Sequence, residues 1–118
     1  MSATRVLLGD DHTLVRQGIR RILQDQRTLE VVGEAVDGRD VVNKTLELSP
    51  DVVVMDIAMP GLSGIEATRQ ILRRRPDLGV LMLSMHAEEG YVVQALRSGA
   101  RGYVLKDRKS TRLNSSHT

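Results

Sequence analysis

A chain of 118 residues with no cysteine, two tyrosines and neither Phe nor Trp excludes disulfide frameworks, thiolate metal sites and the aromatic platforms on which single-stranded nucleic acids stack. That length suits one domain with an aliphatic core, and no apolar run nears the ~20 residues that span a bilayer. Its formal charge of +2 belongs to the end of the chain: residues 1–107 hold 14 Lys/Arg against 15 Asp/Glu, whereas Arg108, Lys109 and Arg112 add three cations and no acid, so charge gives the folded part no nucleic-acid signal.

In chain order, apolar runs alternate with segments of helical period. Residues 5–9 read as a first strand, and 13–23 as a helix with Val15, Ile19, Ile22 and Leu23 on one face. Residues 30–35 are a shorter, more polar strand suited to an edge. Asp37-Gly38 marks a turn, and Val41, Val42, Thr45, Leu46 and Leu48 predict a second helix that stops at Ser49-Pro50. Residues 52–55 are a central strand, followed by a loop through Met59, Pro60, Gly61 and Gly64. A third helix carries Ile65, Thr68, Ile71 and Leu72 and closes at Arg75-Pro76. Residues 80–83 make a fourth strand, 88–98 a fourth helix stopped by Gly99, and 103–105 a fifth strand. Such alternation predicts a parallel sheet with right-handed crossovers.

The pattern breaks after Lys106. A fifth helix is expected there, but 107–118 offers Leu113 as its one apolar side chain, too little for an amphipathic stripe. Residues 108–118 therefore read as a non-native or disordered tail. No charged-then-apolar leader precedes Val6, and a soluble, cytoplasmic protein is expected.

Polar residues stand just past four of the apolar runs: Asp10 and Asp11, Asp56, Ser84, and Lys106. Open α/β sheets bind ligands outside the carboxyl ends of their strands, so three carboxylates, a hydroxyl and an ammonium gather along one edge. Neighbouring carboxylates repel one another unless a cation sits among them, and hard oxygen donors without histidine or cysteine suit Mg²⁺. A carboxylate also serves as a nucleophile towards phosphorus, and phosphoryl transfer needs positioning and charge neutralisation above all. Each residue has a plainer reading: Asp11 as a helix cap, Ser84 as a turn residue, Lys106 as solvated surface. Their joint occurrence at four strand ends is what points to a site.

The segments Leu8-Gly9-Asp10-Asp11-His12, Val54-Met55-Asp56-Ile57-Ala58-Met59-Pro60-Gly61, Leu83-Ser84-Met85-His86-Ala87 and Gly99-Ala100-Arg101-Gly102-Tyr103-Val104-Leu105-Lys106 resemble a bacterial response-regulator receiver domain. Leu14-Val15-Arg16-Gln17-Gly18-Ile19-Arg20 and the Leu105-Lys106-Asp107 ending resemble the NarL/FixJ subfamily, whose output is a LuxR-type helix-turn-helix. The resemblance covers residues 5–107. It implies an α/β, doubly wound, five-stranded parallel sheet of flavodoxin-like order 2-1-3-4-5, here with the fifth helix missing or replaced.

The resemblance further implies that Asp56 is the phosphoacceptor. Asp11 and Asp56 would bind Mg²⁺ directly, Asp10 largely through water, and the Ala58 backbone carbonyl would complete the protein ligands. Lys106 would pair with the phosphoryl group, Ser84 would hydrogen-bond it after a small inward shift, and Tyr103 would rotate into the vacated space. The implied partners are a sensor histidine kinase and a second copy in a homodimer. DNA would be reached only through a helix-turn-helix domain outside this chain, and no membrane is involved. Two other readings compete: a Mg²⁺-dependent phosphohydrolase with an aspartate nucleophile, and an inert receiver-like interaction module. The hydrolase would need a second aspartate two residues after the nucleophile, where this chain has Ala58.

Overall fold

The computed structural model describes residues 3–84, with side chains through Leu83, and the backbone of residues 102–106 and 113–116. β1 (Thr4–Gly9), α1 (Thr13–Gln24), β2 (Leu29–Ala35), α2 (Gly38–Leu48), β3 (Val52–Asp56), α3 (Gly64–Arg74) and β4 (Gly79–Ser84) follow one another in strict alternation. Two further strands are described, β5 (Gly102–Lys106) and β6 (Leu113–Ser116). The sheet runs β2-β1-β3-β4-β5-β6, parallel throughout except at the last pair. The expected 2-1-3-4-5 order is therefore present. The fourth helix expected at 88–98, with its stop at Gly99, lies outside the described residues.

β6 is an addition. The sequence suggested no element at 113–116, yet these residues pair antiparallel with β5, Lys106 facing Leu113 and Tyr103 facing Ser116. Strand pairing satisfies backbone N–H and C=O groups whatever the side chains are, and an open sheet edge accepts any extended segment. Hydrophobic periodicity is blind to that.

The helices start and stop where local chemistry demands. Asp37 caps α2 by accepting a hydrogen bond from the Asp40 N–H at 2.8 Å, and Ser63 caps α3 by accepting one from the Glu66 N–H at 3.2 Å. Pro50 and Pro76 follow the C-terminal ends of α2 and α3, where neither can continue a helix.

Side chains alternate across the strands, and both faces of the sheet are covered. Leu7, Val53, Met55, Val80 and Met82 face α2 and α3, packing on Val41, Ile65, Ala67 and Ile71. Val6, Leu8, Val54 and Leu83 face the other way, onto Ile19 with Val15 and Leu23 of α1. Double coverage is why these runs read as continuous apolar stretches. Two residues of the apolar helix patterns stay in contact with water: Ile22 is 44% and Leu46 40% exposed, both at the edge of their helical stripe. No described helix is long and apolar enough to cross a membrane.

Candidate functional site

The strand ends converge as the sequence implied. In the register of the sheet, Gly9 pairs with Met55, Asp56 with Leu83, and Ser84 with Leu105, so Asp10, Asp56, Ser84 and Lys106 emerge along one edge. Ser84 ends β4 and Lys106 ends β5, while Tyr103 is the second residue of β5. The side chains of these three lie outside the described residues.

Asp10 is held from several directions. Its N–H donates to the Ala35 carbonyl at 3.0 Å, extending the β1–β2 ladder by one residue. Its Oδ1 accepts the His12 N–H at 2.9 Å, which folds the chain from β1 into α1. Its carbonyl accepts from Nη1 of Arg16 at 2.7 Å. Gly9 makes this approach possible, because a Cβ there would lie 2.6 Å from Val41 Cγ2 and 3.1 Å from Met55 Cβ. A larger residue would push the end of β1 away from β3.

Asp56 is the last residue of β3 and only 4% exposed. Its Oδ1 accepts the Ala58 N–H at 3.1 Å, fixing the orientation of the carboxylate. The following loop is tied at both ends: the Ile57 N–H reaches the Leu83 carbonyl at 3.0 Å, and the Gly64 N–H reaches the Ile57 carbonyl at 2.8 Å. Met59 tucks into the core, whereas Ala58, Pro60 and Gly61 stay exposed.

One ligand atom each from Asp10, Asp11, His12 and Asp56 lies within 4.8 Å of the others. Asp10 is 1% exposed, and Asp11 and His12 form an open rim. Sequence reasoning quoted His12 within a motif but gave it no role. Here its Nδ1 sits 3.2 Å from Oδ1 of Asp10 and 3.2 Å from Oδ1 of Asp11. Arg16 and Glu34 were likewise missed, since nothing in a linear pattern announces a contact between an α1 guanidinium and a β2 carboxylate 18 positions apart. Three converging carboxylates, two of them buried, form a hollow that could hold a divalent cation preferring oxygen donors. The donor set fits Mg²⁺.

A model of the response regulator receiver domain matches residues 6–117. The chain belongs to that family. The receiver is 45% identical over 103 residues to the transcriptional regulatory protein DegU of Brevibacillus brevis, covering 87% of this chain and 44% of DegU. It is 48% identical over 102 residues to the response regulator GacA of Pseudomonas viridiflava, covering 86% of this chain and 48% of GacA. Among solved structures, the signal receiver domain of the putative response regulator NarL from Mycobacterium tuberculosis superposes with a TM-score of 0.85 at 38% identity, over 92% of this chain and 88% of that one. The receiver thus falls among NarL/FixJ-type regulators, as its motifs implied, and it spans about half the length of these curated relatives.

Proposed function

We propose that this receiver is a phosphorylation-activated switch of a two-component system in which Asp56 accepts a phosphoryl group from a sensor histidine kinase. The observation that carries the reading is the position of Asp56: a buried carboxylate at the end of the central strand, within 4.8 Å of the donors on Asp10 and Asp11, in a chain of the receiver family.

In this reading an Asp56 carboxylate oxygen forms a bond to phosphorus while the P–N bond of a phosphohistidine breaks and the imidazole leaves with the electron pair. The Ala58 N–H holds the attacking carboxylate in plane. Asp10, Asp11, Asp56 and the Ala58 carbonyl would hold Mg²⁺, with Asp10 acting largely through water, and the ion would neutralise charge on the phosphoryl oxygens. Lys106 pairs its ammonium with the transferred group, and the Ser84 hydroxyl donates to a phosphoryl oxygen after a small inward shift. Tyr103 turns into the space that shift leaves. Because the chain itself supplies the positioning, a small phosphodonor serves in place of the kinase, and water later hydrolyses the acyl phosphate. The new charge biases a two-state surface. In a longer, cytoplasmic parent protein that surface would control dimerisation and a helix-turn-helix domain that binds DNA.

Incubation with Mg²⁺ and acetyl phosphate, followed by a phosphate-affinity gel, tests this. A slowly decaying phosphoprotein band, absent in Asp56→Asn, is expected. Steady turnover of a small phosphomonoester would point to a hydrolase, and no band at all to an interaction module without chemistry.

A further inference from the structure

We propose that Arg16 is a positioning residue for the phosphorylation site: it grips the backbone of Asp10 so that the Asp10 and Asp11 carboxylates stand ready for Mg²⁺, and Glu34 holds Arg16 in place. The inference rests on the reading of the hollow as a Mg²⁺ site and adds to it a pair of residues that lie outside the hollow and set its affinity.

Both backbone polar groups of Asp10 are engaged. Its N–H donates to the Ala35 carbonyl at 3.0 Å, and its carbonyl accepts from Nη1 of Arg16 at 2.7 Å. Nε of the same guanidinium donates to Oε1 of Glu34 at 2.8 Å, and Glu34 directly precedes Ala35 in β2. These bonds close a ring that fixes the ends of β1 and β2 and the first turn of α1 to one another, with Asp10 at the junction. A planar guanidinium suits the task, because its N–H groups meet two acceptors in fixed directions.

The stem of Arg16 is anchored as well as its head. Its own N–H donates to the His12 carbonyl at 2.9 Å, and the His12 N–H in turn donates to Oδ1 of Asp10 at 2.9 Å. The Arg16 side chain is 14% and that of Glu34 24% exposed, so water competes little for the bonds between them.

Electrostatics gives that grip its purpose. Three close carboxylates repel one another when no ion lies among them, and the turn carrying Asp10 and Asp11 would relieve the repulsion by swinging away from Asp56. Arg16 opposes this movement at the backbone, so the order is in place before the ion binds. Arg20 supplies an internal comparison: it pairs with the same Glu34, one turn further along α1 from the Asp10 carbonyl.

The test is calorimetric titration of Mg²⁺ into the intact chain, for wild type, Arg16→Ala, Arg16→Lys and Arg20→Ala. Amide hydrogen exchange at His12 in EDTA reports on the turn without any ion. Groups that support metal ligands from outside contribute about 10-fold or more to affinity, so Arg16→Ala is expected to weaken Mg²⁺ binding about 10-fold. Exchange at His12 should quicken in the same variant. Arg16→Lys keeps the charge and the apolar stem and so decides the matter if the alanine variant does not fold. Its ammonium lacks the fork that meets both acceptors, and a loss of about 3-fold or more is expected. Labelling by acetyl phosphate should show a matching split: half-maximal rate needs more Mg²⁺, while the rate at saturating Mg²⁺ stays within about 2-fold of wild type. Arg20→Ala loses a partly exposed ion pair and should leave Mg²⁺ affinity within about 2-fold. Wild-type Mg²⁺ affinity in the folded Arg16 variants overturns the inference and leaves the Mg²⁺ site standing. An equal loss in Arg20→Ala also overturns it, since the pairing with Glu34 rather than the grip on Asp10 would then set the affinity. If the wild-type chain binds no Mg²⁺, the cation-site reading falls and this inference with it.

Discussion

Arg16 and Glu34 join α1 to the edge strand β2: Nε of the arginine donates to Oε1 of the glutamate at 2.8 Å, and the same guanidinium reaches the Asp10 carbonyl at 2.7 Å. Arg20, one turn further along α1, takes the other oxygen of Glu34, and Lys44 of α2 donates to the Glu34 carbonyl. Three elements thus meet on one residue that lies outside the acidic hollow and steadies the turn carrying it.

Glu34→Ala should destabilise the receiver by about 1–3 kcal/mol in urea unfolding, because it strands a guanidinium that is mostly removed from water. Arg16 is only 14% exposed, which sets it apart from the Arg69–Glu66 pair at 51% and 39%. Removing that surface pair should cost under about 0.5 kcal/mol. Equal effects at the two sites would contradict this account of the network.

Gly64 sits against the back of the turn that follows Asp56. A Cβ there would come within 2.3 Å of the Asp56 carbonyl oxygen and 2.9 Å of Ile57 Cα, and both are backbone atoms that cannot swing aside. Gly64→Ala is expected to cost about 1–3 kcal/mol and, by displacing Asp56, to slow labelling by acetyl phosphate. A variant with wild-type stability and labelling rate would show that the turn has room it does not have here.

Much of this arrangement was legible in the sequence because it rests on local signals. Residues 52–55 announce a doubly covered strand by being apolar throughout, the loop through Met59, Pro60, Gly61 and Gly64 announces the start of α3, and Asp10, Asp11 and Asp56 announce themselves by following apolar runs. What escaped depends on tertiary placement. The period puts Ile22 and Leu46 on their apolar stripes, but the angle at which a helix docks decides which stripe edge meets water. β6 forms through backbone pairing, which leaves no side-chain pattern to read. His12 joins the hollow only because the β1–α1 turn sets its ring on the rim beside Asp10 and Asp11.

Two threonines on apolar helix faces make opposite predictions. The buried Thr45 hydroxyl has no hydrogen-bond partner among the described residues, whereas the buried Thr68 hydroxyl donates to the Gly64 carbonyl at 2.8 Å. Thr45→Val replaces an unsatisfied polar group with an isosteric apolar one and should be neutral or stabilising by up to about 1 kcal/mol. Thr68→Val removes a made bond and should destabilise by about 1 kcal/mol. Paired urea titrations decide the order, and a larger loss at Thr45 would mean that its hydroxyl is satisfied after all.

Cation binding should show itself as stability. An ion that binds only the folded receiver raises its unfolding free energy by about 2.7 kcal/mol at a hundredfold excess over Kd. The carboxylates that create the affinity also repel one another when no ion is present, so the same substitution should act in opposite directions under the two conditions. Asp11 is the residue to change, because its side chain is 32% exposed and lies on the open rim. In EDTA, Asp11→Asn should unfold at the same temperature as wild type or slightly above it, a gain of at most about 0.5 kcal/mol because solvent screens the repulsion. In excess Mg²⁺ the wild-type transition should move up and the Asp11→Asn transition should barely move, so the order of the two proteins reverses. Parallel shifts in both proteins would mean that the ion binds without Asp11 and that the rim carboxylate is not part of the cation's coordination.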